Sequence, residues 1–519
     1  MASVVYIKNK NGKIYAYENV SYWDKESKIT RHKRKCVGHL DPITKEIKPN
    51  RKKGDINTAP CGAVFKNRAK RACIVKSDGI SLLLDQISNE IGLTKAIKKA
   101  FPEDWCQIMT CAYFLVSEGN ALRYIEKWAD DNISPYTDTL SSQRVSELLK
   151  RITRNRQLDF FSEWINANRN DEYYALDITS VSSYSEQNEF VRYGYNRDKE
   201  KLPQINMLLV SGEESKMPLY FKLLPGSIKD VSTLRETLDT LELVDTKPLH
   251  LVMDKGFYKQ VNIDALYEMR TKFMIAVPFT TILANEQVQK ARAQDIKSHH
   301  NYRVVFEDEV FVNSCLINWN GHRCYAHVYY DSLKAEIEYK KFNRLLYECH
   351  QELVSGVTID SHKKFYKQFF QVKETPKRGR KVAYNQSAIE EYKNNTTGWL
   401  VMITNDVKDP VKALEIYRRK DSVEKAFDDL KNELDCKRLR IHSSKAMDGR
   451  LFLQFIALIL TIKIRLTLND AGWLKKYDTQ QIINEMKSLR VVAVEGKKGT
   501  IRSVITALQE KIIALFGLQ

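Results

Sequence analysis

Apolar positions along the chain change period three times. In "SVVYIKNKNGKIYAYENVSYWD", 3–24, β-formers alternate on both sides of Asn11-Gly12, which predicts a hairpin, and "RHKRKCVGHLD", 31–41, reads as a basic strand. From 78 to about 168 the apolar returns fall at three and four residues. "ISLLLDQISNEIGLTKAIKKAF", "WCQIMTCAYFLVS", "NALRYIEKWADD" and "SSQRVSELLKRITRNRQLDFFSEWIN" are predicted as short helices with basic faces, suited to a helix-turn-helix-like DNA binder or to a plain bundle. At 171 the pattern turns to strands: "DEYYALDITSVSSYS", "INMLLVSGEE", "MPLYFKLLPGS", "HLVMDKGF" and "KFMIAVPF". The helical "DVSTLRETLDTLEL" and "NIDALYEMR" lie around the fourth of these.

Three meandering strands followed by helix-strand-helix-strand predict a mixed α/β sheet. A Lys-rich interruption then carries its own strands in "YRVVFEDEVFVNSCLINWNGHRCYAHVYYD", a long helix in "SLKAEIEYKKFNRLLYECHQELVS" and the loop "ETPKRGRK". The apolar strand "GWLVMITND" follows. The expected organisation is a basic β module over 1–77, a helical DNA-binding region over 78–168, and an α/β core over 169–280 and 397–470. A β-rich insertion subdomain over 281–396 interrupts that core, and the C-terminal region is 471–519. That last region either supports dimerisation or closes its own core.

Charge narrows the partner. Lys and Arg number 83 against 65 Asp and Glu, a net +18, which favours a polyanion and makes nucleic acid the first suspect. More than half of the surplus lies in residues 1–70, with 17 basic against 6 acidic residues. The nine cysteines form no C-x-x-C pair and are read as reduced thiols of an intracellular protein. The opening "MASVVYIKNKNGK" has no leader-like apolar run. "LFLQFIALILTI", 451–462, falls short of the roughly 20 residues a membrane span needs and is read as a core helix, with no membrane partner expected.

Three acids stand out by context. Asp177 lies inside the strand "YYALDITS", and Asp254 ends "LHLVMD", at the carboxyl end of a strand where α/β sheets place ligands. Glu424 lies in "YRRKDSVEKAFDDLK", read as one helix over 417–431. At about 100° per residue, Tyr417, Lys420, Glu424 and Lys431 share a stripe roughly 60° wide. The apolar Ile416, Val423, Phe427, Leu430 and Leu434 run beside it. Carboxylates gathered inside a protein repel one another unless a cation joins them, and hard divalent ions, Mg²⁺ or Mn²⁺, suit such oxygens. Two ions about 4 Å apart serve in-line phosphodiester chemistry. Taken singly, a strand Asp is more often structural.

With these residues the chain resembles the DDE transposases of bacterial insertion sequences, in the branch whose third acid lies in a Tyr-two-Arg-three-Glu-six-Lys helix and whose RNase H-like domain carries a β-rich insertion. Tyr417, Lys420, Glu424 and Lys431 keep that spacing, with Lys420 standing where the branch has Arg, beside Arg418 and Arg419. A Lys keeps the charge and loses the bidentate fork. "MDKGFY", the 170 positions between Asp254 and Glu424, and "KRLRIHSSKAMDGRLFLQFIALIL" extend the resemblance over about 170–465. It implies an RNase H-like core in which Asp177, Asp254 and Glu424 are the catalytic and metal-holding acids. It implies that Tyr417, Lys420, Lys431, Arg418 and Arg419 contact transposon-end DNA. Two Mg²⁺ (or Mn²⁺), terminal inverted repeats and target DNA as double-stranded partners, a homodimer in a DNA-bound synaptic complex, and a bacterial, nucleoid-associated cytoplasmic location follow from it. The reaction implied is cut-and-paste transposition. The alternatives are a nuclease of the same fold without strand transfer, and a DNA-binding repressor on a degenerate scaffold.

Two lesser signals remain. Trp319 in "INWNGHR" is a candidate to stack on an unpaired base, worth about 1–3 kcal/mol, against the commoner role of a core or edge-strand Trp. Lys377, Arg378 and Arg380 in "PKRGRK" form a DNA-tracking loop or a solvated one.

Overall fold

The computed structural model describes the chain apart from residues 1–2, 10–12, 25–27, 41–44, 50–72, 186–187, 197, 199, 228–233, 245–248, 376–378, 495–498 and 519. The Asn11-Gly12 turn, Lys377 and Arg378 therefore lie outside the described residues. The chain divides into two units, Met1–Arg71 and Ala72–Gln519.

The first unit is an antiparallel sheet of β1 (Ser3–Lys8), β2 (Ile14–Asp24), β3 (Ile29–Leu40) and β4 (Ile47–Pro49), in that order. The register shifts at Ala16/Tyr17, where Val37 is the extra residue of a bulge in β3. Ala16 is buried, while Tyr6, Tyr22 and Trp23 are exposed. The basic run His32–Lys33–Arg34–Lys35 lies along β3.

The second unit begins with β5 (Cys73–Ser77). Its central sheet is built on β6 (Tyr173–Ser183), β7 (Gln204–Gly212), β8 (Pro218–Pro225), β9 (His250–Met253) and β10 (Phe273–Ala276). β6, β7 and β8 form an antiparallel meander, whereas β9 and β10 run parallel to β6 through the crossover helices Leu234–Val244 and Gln260–Glu268. The spatial order is therefore β8-β7-β6-β9-β10. Every residue of β6 is buried, which is why it reads as an unbroken β-forming run rather than an alternating one.

The interruption differs from its expected form. β11 (Tyr302–Val305), β12 (Asp308–Trp319) and β13 (His322–Tyr330) build no separate β subdomain. They continue the central sheet, because β13 pairs with β16 (Trp399–Thr404), and β16 closes antiparallel on β10. Apolar residues on strands from both sides of the insertion share one core, and a sheet extended at an edge leaves fewer unpaired strand groups. Only the later part of the insertion has its own small core, around Phe342, Leu346, Cys349, Leu353, Phe369 and Ile389. That part holds the helix Ser332–Ser355, the helix Lys363–Phe369 and the hairpin of β14 (Phe370–Thr375) and β15 (Gly379–Tyr384).

The helices between Gly79 and Asn168 are not a free-standing module either. Ile80, Leu83, Ile97, Phe114, Leu148 and Phe160 belong to the same buried cluster as the central strands. Their common partner is the helix Ser444–Asp470, 27 residues long and buried over most of its length. By length and composition that helix is apolar enough to cross a membrane, but its apolar surface is spent on protein neighbours. The short β17 (Arg438–Leu439) adds parallel to the far end of β6. At the C-terminus β18 (Arg490–Val494) pairs with β5 and with β19 (Thr500–Arg502), so the described residues after 470 pack on their own chain.

One close approach is testable. A Cβ built on Gly449 would lie 2.2 Å from the backbone oxygen of Leu149, where Ser444–Asp470 crosses Ser142–Arg151. Gly449→Ala is expected to lower stability by about 1–3 kcal/mol, seen as a lower urea midpoint at unchanged slope.

Candidate active site

Sheet register brings the first two acids together. Leu176 of β6 is paired with Met253, the last residue of β9, so Asp177 on β6 and Asp254 just past β9 are the next residues along two adjacent parallel strands. Neighbouring strands stand roughly 4.8 Å apart. Asp177 is buried, and its Oδ1 accepts the Ile178 N–H at 2.8 Å. Asp254 is half-buried just past the end of β9.

The signature segment closes over this pair, in a bent form. It is two helices, Pro410–Arg419 and Asp421–Asn432, joined at Lys420. The first is started by Asp409, whose side chain accepts the Val411 N–H, with Pro410 at the first helical position. At the joint the Lys420 amide reaches only three residues back, to the Tyr417 carbonyl at 3.3 Å, a tightened 3₁₀ step. The apolar stripe survives: Ile416, Val423, Phe427, Leu430 and Leu434 are all buried.

The polar stripe is divided by the bend. The Tyr417 hydroxyl donates to Asp254 Oδ1 at 2.9 Å. The Lys420 ammonium is buried, 5.5 Å from the centre of the Tyr417 ring. Burial pushes the Asp254 carboxyl up. The Lys420 charge, the Lys255 backbone N–H and the Tyr417 hydroxyl more than offset it and hold the group below its ordinary range. Burial first, then the charge of Asp254, pushes the Tyr417 phenol far up, so it stays a donor.

Glu424 stands apart. It is exposed, and its carboxylate makes no hydrogen bond or ion pair with any described residue. Among the described residues, Asp177, Asp254 and Glu424 do not gather within 4.8 Å as a group, whereas Cys349, Glu352 and His362 do. Asp254 has the Lys420 and Lys255 charges acting on it, whereas Glu424 lies on the solvent side of the bent helix.

Among the described residues, the remaining candidate DNA contacts are occupied by protein. Arg418 donates to the Val305 carbonyl at 2.8 Å and pairs with Asp308 at 2.9 Å. Arg419 reaches Glu213 at 3.4 Å and Glu214 at 3.2 Å, and Lys431 pairs with Asp198 at 2.9 Å. Burial, opposed by Arg419, pushes the Glu213 carboxyl up to about 7. These acids lie 110 to 233 positions before their partners, and no local pattern marked them. Trp319 is half-buried at the end of β12, its indole N–H donating to Asp264 at 2.9 Å and its ring edge-on to Tyr258. Arg380 lies exposed on β15 and donates to the Leu353 carbonyl at 3.2 Å.

Residues 169–460, more than half of the chain and the whole of this arrangement, match the family model described as a transposase DDE domain. The chain belongs to the DDE transposase family. It is a DNA transposase, an enzyme of phosphodiester cleavage and polynucleotidyl transfer. No curated protein matches the chain. Among solved structures it is similar to a piggyBac transposase in a synaptic complex with hairpin DNA, at 11% identity over 79% of this chain and 76% of that one, with a TM-score of 0.38.

DDE transposases use divalent metal ions, and the residues here suit one. Asp177 and Asp254 present hard oxygen donors side by side, and Asp254 is kept ionised although half-buried. Tyr417 acts on that acid. Tyr417→Phe removes one of the groups that lower the Asp254 carboxyl, so the acid limb of the transposase's pH–rate profile is expected to move to higher pH. An unmoved limb in pH-dependent single-turnover cleavage would show that Tyr417 does not tune Asp254.

Proposed function

We propose that this transposase performs cut-and-paste transposition of an insertion sequence. The observation that carries this reading is the adjacent register of Asp177 and Asp254, with Tyr417 bonded to the second acid just upstream of Glu424. In this reading Asp177, Asp254 and Glu424 hold two Mg²⁺ or Mn²⁺ ions, with Glu424 drawn in from its exposed position when DNA and metal are bound. Ions held by these acids would supply activation of the attacking oxygen and stabilisation of the leaving one.

The protein's own residues divide the remaining work. Tyr417 and Lys420 hold Asp254 in its ionised form and orientation. Arg418, Arg419 and Lys431 exchange their carboxylate partners for phosphates of the transposon end, and Arg380, with Lys377 and Arg378, tracks the duplex farther out. Water cleaves at the end to free a 3′-hydroxyl. That hydroxyl then attacks a target phosphodiester, forming one P–O bond as another breaks. Two ends must be joined, so the working form is a homodimer assembled on terminal inverted repeats and target DNA, in the nucleoid of a bacterial cytoplasm.

Purified protein, Mg²⁺, terminal-repeat DNA and a target duplex provide the test. End-joined products support transposition, whereas efficient cleavage without joining would replace it by the nuclease reading. Binding without cleavage would favour a repressor on the same scaffold.

A further inference from the structure

The small core of the insertion holds a second set of metal-ready side chains. The helix Ser332–Ser355 ends at Gly356, which takes the left-handed conformation at φ +78°, and the chain re-enters helix at Lys363. Cys349 and Glu352 lie three residues apart near the end of the first helix, and His362 stands at the start of the second. The His362 Nδ1 lies 3.0 Å from Glu352 Oε2 and 3.6 Å from Cys349 Sγ. One nitrogen therefore faces both other donors.

Those separations match the edges of a metal tetrahedron. Bond lengths of about 2.3 Å to sulfur and 2.0–2.1 Å to nitrogen and oxygen give an S···N edge of about 3.5 Å and an N···O edge of about 3.3 Å. The surroundings fit as well. Cys349 is fully buried, and Glu352 and His362 are largely so. The Tyr366 hydroxyl donates to the same Glu352 oxygen and accepts the Ile359 N–H, an outer-shell contact that orients the carboxylate. The core here is small and separate from the main one, the situation in which domains use a staple.

We propose that Cys349, Glu352 and His362 form a Zn²⁺-type site, with solvent in the fourth position, that ties the end of Ser332–Ser355 to the helix after it. A mixed sulfur, nitrogen and oxygen donor set suits a borderline ion such as Zn²⁺ rather than the hard ion of the DDE acids. The site is independent of the catalytic reading and is tested apart from it.

The full chain, stripped with a chelator, is titrated with Co²⁺. One equivalent is expected to bind with a thiolate-to-cobalt charge-transfer band and intense visible bands of tetrahedral geometry, both removed by added Zn²⁺. Cys349→Ser and His362→Asn should each abolish the band with unchanged circular dichroism. Tyr366→Phe should weaken binding by about 10-fold. Asp254→Asn should leave the titration as it was. Absence of a charge-transfer band, or a band that persists in folded Cys349→Ser, overturns the proposal. If Cys349→Ser does not fold, a band that persists in His362→Asn does so equally.

Discussion

Asp254→Asn is expected to abolish cleavage of transposon-end DNA while leaving binding to that DNA intact. The substitution keeps size and removes one negative charge beside Asp177 and Lys420, so it takes away a proposed metal donor without opening a cavity. Loss of an outer-shell partner already costs about 10–100-fold, and loss of a direct ligand should exceed that. Single-turnover cleavage of a labelled terminal-repeat duplex, with binding followed by gel shift, separates the two effects. Glu424→Gln belongs beside it. The carboxylate of Glu424 is exposed and has no partner among the described residues, so its removal should cost no stability and should still stop cleavage. Cleavage at the parental rate in Glu424→Gln would remove it from the proposed acids and leave the third ligand to be found elsewhere.

The second large effect is on DNA affinity. A contact surface of about six to ten phosphates loses roughly 10³–10⁵ in affinity between 50 and 200 mM salt, and a chain with net charge +18 is expected to follow that steep dependence. The ion pairs at the signature helices make the expectation specific. Arg419 sits 3.2 Å from the exposed Glu214, the kind of pair worth about 0–1 kcal/mol, so a phosphate displaces that acid at little cost, whereas the buried Glu213 at 3.4 Å loses its partner cation in the exchange. Arg419→Ala and Lys431→Ala should then each reduce the salt slope by about one, and Glu214→Gln should tighten binding. Slopes unchanged in both basic variants would show that these cations stay with Glu213, Glu214 and Asp198 in the complex. A flat salt response of the parent would refute a phosphate-directed surface altogether.

Local pattern was enough for the elements that bury one continuous apolar surface. The meander β6–β8, the crossovers to β9 and β10, and the apolar stripe of the signature segment are legible because side-chain period reports burial directly. The acids Asp177 and Asp254 were legible for the same reason, each being a charge embedded in a run that otherwise demands burial. The edge-to-edge union of β13 with β16 was not, since pairing between strands separated by a long helix and a hairpin leaves no mark in either strand's own period. The Ser332–Ser355 helix likewise showed its length but not that Cys349 and Glu352 would meet His362 across a turn.

The signature segment shows where the division falls. Its spacing alone determined that Val423 and Phe427 anchor it, and predicted one helix side shared by Tyr417, Lys420, Glu424 and Lys431, which the bend at Lys420 divides. Tertiary structure decided which of the four faces the aspartates. The 3₁₀ step at Lys420 turns Tyr417 and Lys420 toward Asp254, leaves Glu424 in solvent and delivers Lys431 to Asp198. Helical period is a property of neighbours along the chain, so sequence carries it. Charge pairing is settled by whichever groups the fold brings within a few ångströms, and those come from strands and loops far away in sequence.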